Sequence, residues 1–308
     1  MSMYNVFMLQ SFSQVFPLVC IILIGYLLKH FKFLNSDDGS TLLKTIFYTG
    51  TPALIFISIL KVNIDPSLLI LALIAPLIVT ISVLLMYGLR ISALANVPRK
   101  TFGAMFCAAT IMNTGFLIPF VEKLYGSEGL AKLAIIDGFN GLIVFSLVYA
   151  IAAHYGADTP QKNFIIKKLL IAPPIWALAA GLICKSLSIT PHALILDTLA
   201  IIAKIVSPAI LLALGLKFTP KITMPKLLPI PILVRIVLGG AIGLLIVSVL
   251  DLSGVTRSVV LLASIAPSGF NTITFADMEK LDTKFAASAV SIALLFAIIL
   301  FPLIIHYL

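Results

Sequence analysis

The chain has 308 residues, 61% of them hydrophobic and 11% charged, with a mean hydropathy of +1.17. A soluble globular chain is about 45–50% apolar and about 25% charged, so this composition excludes a sizeable soluble domain and places the chain in a lipid bilayer. The net charge of +9 comes with no basic-aromatic groove or nucleic-acid motif. On a membrane protein it reflects cytoplasmic loops, and no nucleic-acid partner is expected.

At roughly 20 residues per crossing, the chain is expected to be an all-α polytopic membrane protein of about ten spans. The apolar runs fall at 13–31, 40–60, 67–89, 101–124, 129–153, 169–187, 193–216, 227–250, 255–281 and 284–306. Turn and charge signals mark their edges: Asn35-Ser36-Asp37-Asp38, Asn63-Ile64-Asp65-Pro66, Asn96-Val97-Pro98-Arg99-Lys100, Gly126-Ser127-Glu128-Gly129 and Thr159-Pro160-Gln161-Lys162. No Lys or Arg precedes the first run, so it lacks the charged front of a cleaved signal peptide and is expected to be a retained helix.

Runs four and nine are interrupted. The fourth contains Met112-Asn113-Thr114-Gly115-Phe116-Leu117-Ile118-Pro119, and the ninth Ala266-Pro267-Ser268-Gly269-Phe270-Asn271-Thr272. Gly lowers helix stability and Pro removes a backbone donor. Hydrocarbon cannot satisfy the freed polar groups, so such backbone must lie inside protein or line a wet cavity. Either break alone could be a proline kink. Two at corresponding places in two halves of one chain point to a transporter's substrate site.

The halves are related. Pro17, Gly25 and Lys29 recur as Pro173, Gly181 and Lys185, and Thr51-Pro52-Ala53-Leu54 with Lys61 as Ser207-Pro208-Ala209-Ile210 with Lys217, all at an offset of 156. Glu122-Lys123-Leu124 recurs as Glu279-Lys280-Leu281 at 157. With five spans in each, residues 1–156 and 157–308 are expected to form two inverted repeats. Lys and Arg divide thirteen (Lys29, Lys32, Arg90, Arg99, Lys100, Lys162, Lys167, Lys168, Lys217, Lys221, Lys226, Lys280, Lys284) against five (Lys61, Lys123, Lys132, Lys185, Arg257). The richer side is expected to be cytoplasmic, with both termini outside the plasma membrane, the inner membrane of a bacterium.

A broken span leaves a second half-helix whose free N–H groups and positive dipole end face the break. Antiparallel helices four and nine, crossing at the membrane middle, would aim two such ends at one region, a geometry suited to a carboxylate. Asn113, Thr114, Asn271 and Thr272 add neutral donors, Gly115 and Gly269 lie among them, and Pro119 is expected in a new first turn. The first half-helices offer carbonyls that suit a cation. Asp137, with Asn140 three residues on and on the same helix face, is either a carboxyl satisfied near the outer interface or a carrier of a proton or cation. Asp277 is either an interfacial charge beside Glu279 and Lys280 or part of an inner vestibule. Lys204 and Arg235, deep in spans, could counter acids, attract anions or pair structurally, while Lys44 should snorkel. Gly239-Gly240-Ala241-Ile242-Gly243 reads as a close-packing face, and Trp176 as a lipid or core contact. Cys20, Cys107 and Cys184 read as small buried thiols. Neither they nor His30, His154, His192 and His306 show metal-ligand spacing. No metal, cofactor or enzymatic motif is expected.

On Asn113-Thr114-Gly115-Phe116 with Pro119, the Pro267–Asn271 break and the Thr-Pro-Ala-Leu turn, the chain resembles the auxin efflux carrier family in its compact bacterial form. Its fold is similar to that of bile-acid sodium symporters. The resemblance implies ten helices in an inverted repeat, with helices four and nine crossing at their prolines. It implies a scaffold (about 13–61 and 169–217) that usually makes a dimer contact. It also implies a transport part (about 67–153 and 227–306) that moves past the scaffold in elevator fashion. Asn113 matches the asparagine of the family's first crossing, and Asn140 is similar in place to a substrate-contacting asparagine of helix five. Pro119 and Pro267 match the crossing prolines, although the second break here reads Pro-Ser-Gly-Phe-Asn. The connection 154–168 is short where plant members carry a long loop, which argues against auxin; the resemblance to bacterial members implies a small organic anion such as a mono- or dicarboxylate. The expected activity is secondary transport of such an anion, with H+ or Na+ as possible coupling ion. The rivals are a sodium-coupled organic-anion symporter, a receptor that binds without transporting and, least supported, a membrane enzyme.

Overall fold

The computed structural model describes residues 3–61, 68–88, 97–156, 173–218 and 220–305. Several sequence signals lie outside these residues: Asn63–Pro66, Arg90, Asn96, the Thr159–Lys162 turn, Lys167, Lys168 and His306. The described chain is helical, and no strand occurs in it beyond one isolated bridge. In order, the helices are α1 (Met3–His30), α2 (Ser36–Tyr48), α3 (Gly50–Lys61), α4 (Leu68–Gly88), α5 (Arg99–Thr110), α6 (Thr114–Ile143), α7 (Tyr149–Gly156), α8 (Pro173–Ser186), α9 (Ala193–Ala203), α10 (Val206–Lys217), α11 (Pro229–Ile232), α12 (Gly239–Val249), α13 (Gly254–Ser264), α14 (Asn271–Met278) and α15 (Thr283–Ile305). π-helical turns at Val144–Val148 and Leu233–Leu238 join α6 to α7 and α11 to α12.

Among the described residues, six stretches are long and apolar enough to cross a membrane: Ser36–Lys61, Ile70–Gly88, Thr114–Gly156, Ala193–Lys217, Pro229–Val249 and Thr283–Phe301. Others expected as spans are shorter or split. Gly254–Ser264 is a short apolar helix, and the fourth and ninth runs divide at their breaks, while the first run, up to His30, lies within the single helix α1. The chain is therefore an all-helical, multi-pass membrane protein. The runs 40–60 and 193–216 also differ from the uniform helices expected: each breaks ahead of its Pro motif, at Thr49 and at Lys204-Ile205. Pro52 and Pro208 then fall in the first turns of α3 and α10, where a missing N–H matters least.

Local chemistry explains the edges. Asn35 caps α2, accepting from the N–H groups of Asp37 (2.7 Å) and Asp38 (3.1 Å), while Asp38 accepts from the Asn35 N–H at 2.7 Å. This reciprocal box satisfies otherwise orphaned donors. Gly126 takes φ 57° and ψ −146° and bends the Thr114–Gly156 run. That conformation needs a residue without Cβ, so the signal at Gly126–Gly129 is a kink and not a loop.

Two helix pairs are packed alike. α1 lies on α10 through Gly25 and Gly215, and α8 lies on α3 through Gly181 against Ile59. Lys29 Nζ donates to Phe218 O (2.7 Å) beyond the end of α10, and Lys185 Nζ to Leu60 O (2.9 Å) at the end of α3. Both ammonium groups sit where a helix dipole is negative. A Cβ on Gly215 would meet the Tyr26 nitrogen at 2.6 Å and the Gly25 carbonyl carbon at 2.9 Å, backbone that cannot swing aside. Gly215→Ala is therefore expected to destabilise the protein by about 1–3 kcal/mol through overpacking, read as a lower melting temperature. An unchanged melting temperature would show that α1 is not seated this closely.

Near the breaks, the rings of Phe116 and Phe120 pack at 4.7 Å and meet Phe301 of α15 at 5.2 and 5.4 Å. This cluster fixes the start of α6 against α15. Trp176 is 58% exposed, on the lipid side of the two placements open to it. Cys20, Cys107 and Cys184 are free; only Cys107 is fully buried.

Candidate functional site: two broken helices joined at a bridge

α5 ends at Thr110 and α6 begins at Thr114; α13 ends at Ser264 and α14 begins at Asn271. The extended residues between them meet. Met112 pairs with Ser268 in an antiparallel bridge. The Asn113 N–H donates to Pro267 O and the Gly269 N–H to Ile111 O, each at 2.9 Å. Ser268 Oγ reinforces the bridge by donating to Ala108 O at 2.6 Å. Each break thus supplies partners that the other lacks, which internal backbone in a bilayer requires. The bridged residues Met112 and Ser268 are 156 positions apart, the offset of the sequence repeat, and the bonded pairs 113/267 and 111/269 lie symmetrically about them. Gly269 is needed here for space: a Cβ would meet Met112 O and Ile111 Cγ2 at 2.8 Å.

The start of α6 gathers the polar residues of the first half. Asn113 is the N-cap, its Oδ1 accepting from the Phe116 N–H at 3.0 Å. That bond assigns the amide and leaves Nδ2 buried with no partner. The N–H groups of Thr114 and Gly115 fall in the first turn, where no intrahelical acceptor exists. Thr114 Oγ1 donates to Asp137 Oδ1, and Asn140 adds a side-chain hydrogen bond to the same carboxyl. Asn140 Oδ1 is left buried without a partner. Asp137 and Asn140 therefore belong to one cluster with Thr114, next to the cap that Asn113 makes.

Pro119 is not at the break. It is the sixth residue of α6, inside the helix, and not in the first turn expected from sequence. The break is placed by the cap at Asn113 and the bridge at Met112. Pro119 instead lacks the N–H that would reach the carbonyl of Gly115. Pro267 does lie in the second break, where its carbonyl takes the bond from Asn113.

In the second half, Asn271 opens α14 and is partly buried. Thr272 is fully buried with an unpartnered hydroxyl, and its N–H donates to Gly269 O at 3.0 Å. Asp277 is exposed near the far end of α14, away from the crossing. Its neighbour Glu279 is the buried one, bonded to Tyr149 OH.

Sequence reasoning left Arg235 and Ser268 out of the site. Arg235 is 0% exposed. Its Nε donates to Ala266 O (2.9 Å) and its Nη2 to Ser264 O (2.8 Å) and Ala263 O (3.2 Å), so the guanidinium closes the end of α13. Gly239 and Gly243 bring α12 against Ser264 of α13, the close packing read from the glycine run. Arg235 precedes Gly239 by four residues, which puts it on that same packing face; this was the legible signal. Lys204 and Lys44 are exposed.

A cavity of about 20 Å³ lies between Leu54 and Ile55 of α3 and Thr114, Ile118 and Asp137 of α6. It has room for about one water molecule and none for an organic acid. The polar cluster is closed against α3 in this conformation.

A protein family described as membrane transport protein matches residues 10–305. The chain belongs to this family, that of the auxin efflux carriers. A protein of Methanothermobacter thermautotrophicus, named as an uncharacterized transporter, is 25% identical over 299 residues, covering 95% of this chain and 97% of the relative. Another uncharacterized transporter, from Methanocaldococcus jannaschii, is 24% identical over 302 residues, covering 94% and 96%. Membership makes the chain a membrane transporter, and the family resemblance seen in its sequence holds over nearly the whole chain.

Proposed function

We propose that this auxin efflux carrier family member is a secondary carrier for a small organic anion, a mono- or dicarboxylate, bound at the crossing of the broken helices. One observation carries the reading. The first turn of α6 presents N–H groups without helical acceptors beside the buried, unpartnered Asn113 Nδ2, a concentration of donors suited to a carboxylate. Thr114, Gly115, Asn140, Gly269, Asn271 and Thr272 would line the site.

Alternating access would be of elevator type. The scaffold would comprise about 13–61 and 169–217, and the moving part about 67–153 and 227–306, in ten helices arranged as two inverted repeats. Two features support the repeat: the 156-residue separation of the bridged Met112 and Ser268, and the matching caps made by Lys29 and Lys185. The tight α3–α6 contact beside Thr114 and Asp137, with room for about one water, supports relative movement, since an organic acid would fit there only if that contact widened. The protein would act as a homodimer in the plasma membrane with both termini outside, Asp137 carrying a coupling proton.

The test is a thermal-shift panel of purified protein with mono- and dicarboxylates, amino acids and indole acids, with and without sodium. A ligand of the folded state raises its stability by mass action. Asn113→Ala is expected to weaken a carboxylate hit by about 1–3 kcal/mol, roughly 5- to 150-fold in affinity. Unchanged affinity would remove Asn113 from the site. The oxygens of Asp137 and Asn140 also favour a second reading, a sodium-coupled symporter. A shift with sodium alone, lost in Asp137→Asn, would select it.

A further inference from the structure

The two half-helix C-termini at the crossing are closed in different ways. At the end of α5 every donor is neutral. The Ile111 N–H donates to Cys107 O (2.9 Å), Ser268 Oγ to Ala108 O (2.6 Å) and the Gly269 N–H to Ile111 O (2.9 Å). At the end of α13 the carbonyls of Ala263, Ser264 and Ala266 converge on the Arg235 guanidinium. Position 79, which is 156 residues before Arg235, is Val79. The first half therefore carries no equivalent charge.

A helix C-terminus bears roughly half a negative charge in unpaired carbonyls. Three carbonyl oxygens converging from such an end are hard donors of the kind that hold a small cation. Here the space is filled by a side chain that stays protonated in proteins. Arg235 is 0% exposed, none of its bonds goes to a carboxylate, and Nη1 has no partner. Desolvating a guanidinium is costly, and the hydrogen bonds that offset it come from backbone carbonyls, those of Ala263 and Ser264 in the last turn of α13 and of Ala266 just beyond it. Gly239 permits the close approach of α12 to the end of α13, because a Cβ there would clash with Ser264 O, one of the carbonyls that Arg235 holds. The π-helical turn Leu233–Leu238 contains Arg235, and such turns re-aim side chains within helices.

We propose that Arg235 is a tethered cation that takes the place of a free monovalent cation at the α13 carbonyls, so that the second broken helix is held closed without bound sodium. The guanidinium then acts as a positioning residue: it keeps Ala266 and Pro267 extended for the bridge to Asn113, and does so in every ionic medium. The claim goes beyond the carrier reading and is measured on stability. Its failure would leave the anion site untouched, and failure of the anion site would leave it standing.

The experiment follows melting temperatures of purified wild type, Arg235→Ala, Arg235→Met and Arg235→Lys in sodium, N-methyl-D-glucamine and millimolar methylguanidinium at matched ionic strength. Arg235→Ala and Arg235→Met are expected to melt lower and to acquire a cation dependence. Sodium or methylguanidinium should restore part of the loss and N-methyl-D-glucamine none. Arg235→Lys, which keeps a tethered charge, should remain as indifferent to the added cation as wild type. If the neutral variants cannot be purified in N-methyl-D-glucamine, the expected result is recovery of monodisperse protein when methylguanidinium is present throughout. Neutral variants that respond to cations as wild type does, or that no cation recovers, would overturn the proposal. So would an Arg235→Lys variant as cation-dependent as Arg235→Ala.

Discussion

Asp137→Asn is expected to make carboxylate uptake into liposomes independent of pH, where the wild type accelerates as the medium is acidified. The reason lies in the cluster at the start of α6. Thr114 Oγ1 and the Asn140 amide both bond to the Asp137 carboxyl, and Thr114 adjoins the N-cap Asn113. An anion held by the first-turn N–H groups would therefore sit beside a second carboxylate, and like charges in one site disfavour each other's ionisation. Binding the anion then requires a proton on Asp137, and the two travel together. Asn keeps the shape and can still bond to Thr114, but it is permanently neutral. The variant should bind the anion at any pH and lose accumulation driven by a proton gradient. Uptake that still rises on acidification in Asp137→Asn would return Asp137 to a structural role. A sodium dependence lost in the same variant would make it the ligand of a different ion.

Gly269→Val is the second large effect. Gly269 is not in the left-handed region of backbone space, so its requirement is room alone. Even one added carbon would lie 2.8 Å from Met112 O and Ile111 Cγ2, and valine adds two more. The change should force Gly269 N–H from Ile111 O and open the bridge between the broken helices. Overpacking costs about 1–3 kcal/mol and an unmade buried hydrogen bond about 1–3 kcal/mol more. Against a total stability of about 5–15 kcal/mol, this should appear as a large fall in melting temperature. Gly115→Ala is the control, since a Cβ there meets nothing closer than Asn113 Oδ1 at 3.6 Å. It should leave the melting temperature nearly unchanged. If both variants melt alike, the close approach at Gly269 does not hold the crossing together.

Much of this was legible in the sequence, because a bilayer removes alternatives. Composition alone placed the chain in a membrane, since hydrocarbon accepts only helices or closed barrels. Gly, Pro and Asn within runs four and nine marked the interruptions, because such residues are costly in a helix wherever they occur. The Asn35–Asp38 cap of α2 and the glycine face of α12 were readable for the same reason: each depends on residues close together in the chain. The repeat offset was visible as repeated Pro, Gly and Lys.

The tertiary structure decided what those features do. The bridge between Met112 and Ser268 joins residues 156 apart, and no local pattern announces which extended segments will pair. It narrowed the break from Met112–Pro119 to the residues before the cap at Asn113 and put Pro119 past the first turn, because the hydrogen bonds from the other break end the helix there and the proline ring does not. It brought Asp137 and Asn140 to Thr114 and left Asp277 exposed at the far end of its helix, though all three are simply acids or amides in apolar runs. It also gave Arg235 its role. A charge in a span can pair with an acid, a ligand or a helix end, and only the position of the α13 carbonyls distinguishes them. Sequence records the cost of each polar residue in the membrane; the partner that offsets that cost comes from packing.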